Sequence, residues 1–147
     1  HGQAPGEHPT LDVPAVHCRA GMGLVGDRFY GYRPGYKGQV TFFAWETFLA
    51  IREKFAVPTL SPGAFRRNVV LEGLDLTDLL DRRFTVGGVE FEGIVESTPC
   101  YWMDTVIAPG AEAWLQGRGG LRAKILSDGE LRVGPVPVVL DAAPLFA

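Results

Sequence analysis

The sequence predicts a mainly β fold, namely a closed or nearly closed antiparallel β-barrel with one substantial helix and short helical insertions. Three observations support this fold class. About seven short runs of strand-type residues are separated by glycine and proline turns, whereas only one segment has the period of a substantial helix. Strands and helices do not alternate regularly along the chain, which argues against a doubly wound sheet.

The chain of 147 residues has the size of one domain that can bury a core. Residues 1–14 carry prolines and glycines with little periodicity, so we expect an irregular N-terminal arm. The first residue is His1 rather than methionine, and we interpret this start as trimmed or processed. From its length, the chain over residues 1–147 is predicted to form a single domain, and no internal repeat is visible in it.

The first half of the chain predicts three strands and the main helix. The strands are expected over residues 15–19, 39–43 and 68–72. A long loop rich in glycine and aromatic residues, 20–38, follows the first of them. Residues 45–55 have a helical period, and Pro58 prevents that helix from continuing. One face of the helix is expected to carry Trp45, Phe48, Leu49, Arg52 and Phe55.

The middle of the chain predicts a β-hairpin. A helical turn over 74–80, capped by Asp75 or Thr77, precedes two strands over 83–86 and 89–98. Gly87-Gly88 forms the tight turn between them. Gly93 in mid-strand predicts a bulge or a sharp bend. Strict alternation would place Val89, Phe91, Gly93 and Val95 on one face and Glu90, Glu92 and Glu96 on the other.

The last part of the chain predicts a short helix and three more strands. In order, these are a helix over 111–115, a glycine-rich loop over 117–120, a strand over 121–126, its hairpin mate over 130–133 and a final strand over 136–140. The turn Ser127-Asp128-Gly129 would join the hairpin. Pro137 cannot donate a ladder hydrogen bond, so the final strand is expected at a sheet edge.

Composition argues against several classes of function. The formal net charge is −3, so the chain as a whole has neither a nucleic-acid-coating surface nor one steered to membranes. No apolar run approaches the ~20 residues that span a bilayer. Aromatic and cationic residues interleave over residues 29–37, a pattern that suits either base stacking or loop packing. With an acidic chain, we expect no nucleic-acid partner and no membrane partner.

The two cysteines, Cys18 and Cys100, are too few for a disulfide scaffold. They could pair across the fold, but two free thiols in a reducing cytoplasm are the better interpretation, so we expect a cytoplasmic protein. His17 beside Cys18 could start a metal site. Zinc sites use three or four ligands at short spacings, and no second pair exists, so a structural zinc is not expected.

Cys100 is the candidate reactive residue. It follows Pro99 where a strand gives way to a loop, and loops held by a rigid scaffold often carry chemistry. Nearby arginines could stabilise its thiolate, which is the reactive form. The alternative is a small buried hydrophobe, because free cysteine is among the most buried residue types.

Arg66, Arg67 and Asn68 are the candidate anion-binding residues. A guanidinium presents a planar fork of donors to phosphate or carboxylate, and an amide can fix an oxygen-rich ligand. Adjacent strand residues point to opposite faces, so one of the two arginines is expected at a given site unless both lie on a turn. The alternative is that both are solvated, or that one pairs with Glu72 or Asp81.

Two glycine-rich loops offer further candidates. Asp27-Arg28 follows a glycine loop that matches neither a dinucleotide fingerprint nor a P-loop, so the pair could simply brace that loop. Arg118 lies in the second loop, just before a strand on which Arg122 and Lys124 share a face. The glycines of this second loop either let backbone N–H groups approach an anion or only allow a tight turn.

Taken in order, six groups of residues resemble the MOSC family, the domain named after the C-terminal part of molybdenum cofactor sulfurases. The matching groups are Gly26-Asp27-Arg28, Gly38-Gln39-Val40-Thr41, Arg67-Asn68-Val69-Val70 with Glu72-Gly73, Phe84-Thr85-Val86-Gly87, Pro99-Cys100, and Gly120-Leu121-Arg122-Ala123 with Val133-Gly134. The resemblance spans roughly residues 15 to 135.

The resemblance implies a barrel-like β fold that binds the molybdenum cofactor (molybdopterin) or handles its sulfur. Cys100 would ligate molybdenum or carry sulfur, which suits a soft thiolate. The basic residues would hold the phosphate of the pterin. On this basis, cofactor contacts are expected from Asp27, Arg28, Arg66, Arg67, Asn68, Arg118 and Arg122.

Three functions follow as alternatives. The first is reduction of N-hydroxylated compounds, for which an electron-transfer partner would be required. The second is a non-enzymatic persulfide carrier that works with a cysteine desulfurase, whose pyridoxal phosphate would act in that partner. The third is a ligand-binding barrel with an inert cysteine. Phe29 stands where the family often has histidine, so no role of that histidine is transferred, and Tyr101-Trp102 could shield the thiol or stack on a pterin.

Overall fold

The computed structural model describes residues 15–25, 39–60, 69–99, 102–136 and 138–140. The strands in these ranges are β1 (Ala15–Arg19), β2 (Gly23–Leu24), β3 (Val40–Ala44), β4 (Val69–Leu71), β5 (Arg83–Val86), β6 (Val89–Glu96), β7 (Leu121–Ile125), β8 (Gly129–Arg132) and β9 (Val138–Leu140). The helices there are α1 (Trp45–Lys54), α2 (Trp102–Val106), α3 (Ala111–Trp114) and a 3-10 helix (Leu76–Leu79).

The strands form two sheets. Six of them, in the order β4-β3-β7-β6-β5-β9, make a sheet that curls into a half-barrel, and β2-β1-β8 make a smaller sheet. β3 and β4 run parallel, with Phe42 opposite Val69. The other pairs described within these two sheets are antiparallel. The predicted mainly β, barrel-like fold with one substantial helix is confirmed, and the edge position of the last strand is confirmed as well.

Two hydrophobic clusters lie on opposite faces of the six-stranded sheet. The inner face carries Phe42, Phe84 and Phe91, whose ring centroids lie 5.1 to 5.7 Å apart in edge-to-face and stacked arrangements. The outer face carries Phe43, which packs in one cluster with α1, α2 and α3. Aromatic burial on both sides fixes which residues of each strand point inward, because a slip of one residue would exchange the two faces.

β6 bends where it passes the 3-10 helix. A Cβ at Gly93 would collide with the carbonyl oxygen of Leu79, so only glycine permits this approach. The pairing of β6 with β7 shifts register between Gly93 and Val95, which confirms the predicted bulge. The extra residue exchanges the faces of the residues that follow. Val95 is 39% exposed, and Glu96 lies opposite the inward-facing Leu121. The predicted strict alternation is therefore wrong beyond Gly93.

Four other details differ from the sequence-based expectations. In α1, the residues buried against Phe43 are Phe48 and Ile51. Leu49, which was expected on the packed face, is 44% exposed. β2 lies inside the segment expected to be a loop, and α2 is an additional helix. β8 is not the hairpin mate of β7. It pairs with β1, and the turn before it is held there because an Asp128 carboxylate oxygen accepts a hydrogen bond from the Ala20 N–H at 2.7 Å.

Cys18 belongs to the core. It is a free thiol with no solvent exposure, packed in the inner cluster of the sheet. Burial raises the pKa of the Cys18 thiol to about 11. His17, its neighbour on β1, is exposed, and successive strand residues point to opposite faces. The two side chains therefore cannot bind one metal ion together.

The longest helix in the described ranges, α1, has ten residues. Across those same ranges, no helix combines the length and the apolar character needed to cross a membrane.

The buried thiol predicts a pH dependence of stability. As the pH rises from about 9, the cysteine of the unfolded chain loses its proton first, while the folded state keeps it until about pH 11. The contribution is fully present below pH 9 and is lost as the pH approaches 11. We expect the free energy of unfolding of wild type, relative to Cys18→Ala, to fall by about 2 kcal/mol over this range in urea denaturation. A difference that does not change with pH would contradict a buried, protonated thiol.

Candidate functional site

A cleft of about 510 Å³ opens at one end of the half-barrel, where β3 ends, β6 ends and β7 begins. One wall is formed by the start of α1 and by the segment from Gly73 to the 3-10 helix. Further lining comes from Glu96 and from Gly117, Arg118 and Gly120 in the loop before β7. Ligand pockets typically have volumes of about 300–1,000 Å³, so this cleft can take a small molecule.

The glycines of the loop before β7 are required by close packing. A Cβ at Gly119 would collide with the carbonyl oxygen of Ser97, and a Cβ at Gly120 would collide with that of Phe42. Gly120 also has a φ of 103°, which side chains with a Cβ rarely adopt. The N–H of Ser97 donates to the carbonyl oxygen of Gly120 at 2.8 Å. The glycine-rich sequence is thus explained by the tight seating of this loop against β3 and the end of β6.

The chain that leads to Cys100 passes beside this loop. Pro99 is buried, and its Cδ would lie 3.1 Å from a Cβ at Gly119. Cys100 follows Pro99 directly but lies outside the described residues, as do Tyr101 and the side chain of Trp102. The last described residue before the candidate thiol therefore touches the loop that forms one wall of the cleft.

The other basic and polar candidates fall mostly outside the described ranges. These are Asp27, Arg28, Arg66, Arg67 and Asn68. Val69, the residue after Asn68, begins β4 opposite Phe42, and Phe42 is in turn opposite Leu121 at the start of β7. Because neighbouring strands are about 4.8 Å apart, β4 begins roughly 10 Å from the wall of the cleft that Leu121 forms.

Arg118 lines the cleft. Its guanidinium carbon lies 4.2 Å from the centroid of the Trp114 ring, and its Nη1 donates to the Trp114 carbonyl oxygen at 3.3 Å. Stacking on the ring orients the guanidinium without neutralising its charge. Within the described residues, the two ion pairs are Arg19–Asp128 and Arg132–Glu130, so Arg118 is in neither. Its charge is available to an anionic ligand.

Arg122 lies elsewhere on the same sheet. It sits opposite Thr41 in β3 and Val95 in β6, on the face of β7 that alternates with the inward-facing Leu121 and Ala123. Arg122 does not line this cleft. The expected contact between Arg122 and a cofactor stays a prediction, whereas Arg118 is in a position to make such a contact.

Three carboxylates line the cleft, and the sequence interpretation did not assign them to a site. Glu46 Oε2 accepts a hydrogen bond from the Gly73 N–H at 2.9 Å. Asp75 caps the 3-10 helix by accepting from the hydroxyl and the N–H of Thr77, at 2.7 and 3.0 Å, and these bonds hold the pKa of Asp75 below its ordinary value. The Glu96 carboxylate has no hydrogen bond or ion pair among the described residues, although the residue is partly buried.

The comparisons with known proteins place this fold in a family. The MOSC domain matches the chain over residues 30–136, and the chain belongs to the MOSC domain family. No curated protein sequence matches it. The predicted resemblance is therefore confirmed over most of the chain.

Solved structures share the fold at low identity. The YuaD protein from Bacillus subtilis superposes with a TM-score of 0.73 at 19% identity, covering 89% of this chain and 87% of that one. YiiM from Escherichia coli superposes with a TM-score of 0.70 at 18% identity, covering 88% and 63%. YiiM from Geobacillus stearothermophilus gives 0.63 at 22% identity, covering 74% and 60%. The chain thus spans about 60% of the length of the YiiM proteins, and the likeness shows the fold alone.

The hydrogen bonds of the cleft predict which of its carboxylates contribute to the free energy of unfolding. Glu46→Ala removes the acceptor for the Gly73 N–H and should lower the free energy of unfolding by about 1 kcal/mol. Glu53→Ala, on the exposed side of the same helix, is the matched control and should change it by less than about 0.5 kcal/mol. Glu96→Ala should behave like the control. Urea denaturation measures all three, and a loss in Glu96→Ala as large as in Glu46→Ala would mean that Glu96 is tied to the fold.

Proposed function

We propose that this protein binds a molybdenum–pterin cofactor in the cleft and uses Cys100 as the sulfur that reaches the metal. The observation that carries the proposal is the packing of Pro99 against Gly119. This contact brings the chain that enters Cys100 to the same loop that presents Arg118 to the cleft. Pro99, the residue before the candidate thiol, therefore packs on the loop that carries Arg118, a guanidinium in no ion pair among the described residues.

The cleft residues fit such a cofactor in size and chemistry. The volume of about 510 Å³ lies within the usual range for cofactor sites. Arg118, oriented by Trp114 and in no described ion pair, suits a terminal phosphate, since a guanidinium matches phosphate oxygens with paired donors. The Glu96 carboxylate, which also lines the cleft, suits the N–H groups of a heterocycle. A thiolate is a soft ligand of the kind that binds molybdenum in such sites.

The environment of Cys18 excludes it from the proposed role. Cys18 is buried in the inner cluster, does not line the cleft, and has a pKa raised to about 11. A thiol that remains protonated at neutral pH is a poor nucleophile and a poor metal ligand. Since the chain contains two cysteines, the proposed role falls to Cys100.

The residues of the chain would bind and orient, and the cofactor would supply the redox chemistry. When bound, the cofactor provides a two-electron centre at which an N-hydroxylated compound could be reduced to the amine and water, with two electrons from a donor protein and two protons from solvent. Arg118 would hold the phosphate, and the seated loop from Gly117 to Gly120 would keep that guanidinium in place. Cys100 would supply its thiolate to the metal.

Loading with cofactor tests the role of Cys100. We expect wild type and Cys18→Ala to bind about one molybdenum per chain, and Cys100→Ala to lose at least about tenfold in affinity, because a protein ligand of the metal is missing. Molybdenum is measured by mass spectrometry of desalted protein. Cys18→Ala controls for the loss of a cysteine as such.

Equal molybdenum uptake by wild type and Cys100→Ala would contradict the metal-ligand role. The rival function is then a persulfide carrier. In that case, the Cys100 thiolate attacks the outer sulfur of a desulfurase persulfide, and the thiolate of the desulfurase leaves. The metal-free protein would gain about 32 Da after incubation with desulfurase and cysteine, and Cys100→Ala would not.

Arg118 gives a second test of the site. Arg118→Gln should weaken cofactor binding by about tenfold, because it removes a charged partner of the phosphate. The loss should shrink as salt rises, since salt screens the same charge in the wild-type protein. Arg83→Gln, at an exposed arginine of β5 that does not line the cleft, is the matched control and should bind like wild type. Titration by protein fluorescence measures both, and equal losses would contradict the assignment of the phosphate site to Arg118.

A further inference from the structure

We infer that Glu96 binds the aminopyrimidinone edge of the pterin ring, so that ring identity is recognised by this carboxylate and the phosphate by Arg118. The inference rests on the proposed function and goes beyond it, since it names the residue that distinguishes a pterin from related heterocycles. Three features support the role of Glu96: the bulge in β6, the hydrogen bonds of the other cleft carboxylates, and the chemistry of the ring.

The bulge directs Glu96 into the cleft. Without it, Glu96 would share the face of Glu90 and Glu92, which points away from the inner cluster. The register shift between Gly93 and Val95 places Glu96 opposite Leu121, and both residues line the cleft. A bulge is a means of re-aiming a side chain next to a site. Here it brings a carboxylate to the apolar inner wall of the half-barrel.

The other two carboxylates of the cleft already have structural partners. Glu46 holds the Gly73 N–H, and Asp75 holds the hydroxyl and N–H of Thr77. The carboxylate of Glu96 has no hydrogen bond or ion pair within the part of the chain that the structure describes. A partly buried carboxylate in that position has accepting capacity that a ligand can use.

Glu96 and Arg118 do not neutralise each other. Both line the cleft, and Glu96 pairs with Leu121, three residues after Arg118, yet no ion pair within 4.0 Å joins them. Opposite charges separated on one wall suit a ligand with donors at one end and an anionic group at the other. A pterin that carries a phosphate is such a molecule.

The ring offers the matching donors. The 2-amino group and the N3–H of a pterin point in the same direction, and a carboxylate accepts two parallel hydrogen bonds from such a pair, as it does from arginine. A site built to accept those bonds rejects an analogue that lacks them, because its own acceptor is then left unpaired. Lumazine carries an oxo group in place of the 2-amino group, and is therefore the discriminating analogue.

The test compares two probes on three proteins. Pterin and lumazine are titrated at neutral pH, by their own fluorescence, into wild type, Glu96→Gln and Glu92→Gln. We expect wild type to prefer pterin by about 10- to 100-fold, the range for hydrogen bonds to a charged group. Glu96→Gln should reduce this preference to less than about threefold, because an amide nitrogen then faces the amino group of the ring. Glu92→Gln, on the outer-facing side of the same strand opposite Lys124, should keep the wild-type preference.

Molybdenum cofactor loading separates the two proposals. Glu96→Gln should also bind the whole cofactor at least about tenfold more weakly than Glu92→Gln. If wild type loads molybdenum but Glu96→Gln loses neither pterin preference nor cofactor affinity, the assignment of Glu96 is wrong and the proposed function stands. If wild type binds neither the cofactor nor pterin, the proposed function fails and this inference fails with it. Melting temperatures of the variants exclude a loss of folding as the cause.

Discussion

The close approach of β6 to the 3-10 helix at Gly93 is the constraint on which the rest of the half-barrel depends. The N–H of Gly93 donates to the Arg82 carbonyl oxygen at 2.9 Å, and its own carbonyl accepts from the Asp81 N–H at 3.0 Å. Any side chain there would strike Leu79. The contact closes the inner cluster beneath the helix and produces the bulge. One missing side chain thus sets both the packing of the core and the direction of the residues that border the cleft.

Local sequence patterns predicted the helices and turns well, but they predicted less well which strands pair with each other. The period of residues 45–55, the Gly87-Gly88 turn and the capping carboxylate of Asp75 are properties of neighbouring residues, and each is present in the structure. The pairing of β8 with β1 is decided by contacts between residues more than a hundred positions apart, which no local pattern contains. β2 has two residues, too few for a period to be visible.

The candidate site shows the same difference between features set by neighbouring residues and features set by distant contacts. Arg118 was found because a basic residue among glycines is visible in the sequence, and the structure explains the glycines by packing rather than by anion binding. Glu96 was missed as a cleft residue because its direction depends on a register shift. Gly93 was the available signal, since a bulge exchanges faces for all residues beyond it. The sequence singled out Cys100 by its position after Pro99 but gave no signal for the environment of Cys18, which its burial identifies as part of the core.

The pairing of Ala15 with Arg132 has a consequence for the protein while it is being made. β1 forms only a short hairpin with β2 until the ribosome has added β8, and an isolated hairpin is marginally stable in water. At 5–20 residues per second, that delay is on the order of ten seconds. During this interval Cys18 has no core to shield it. A thiol that is inert in the finished fold is therefore open to oxidants and to chaperones on the nascent chain.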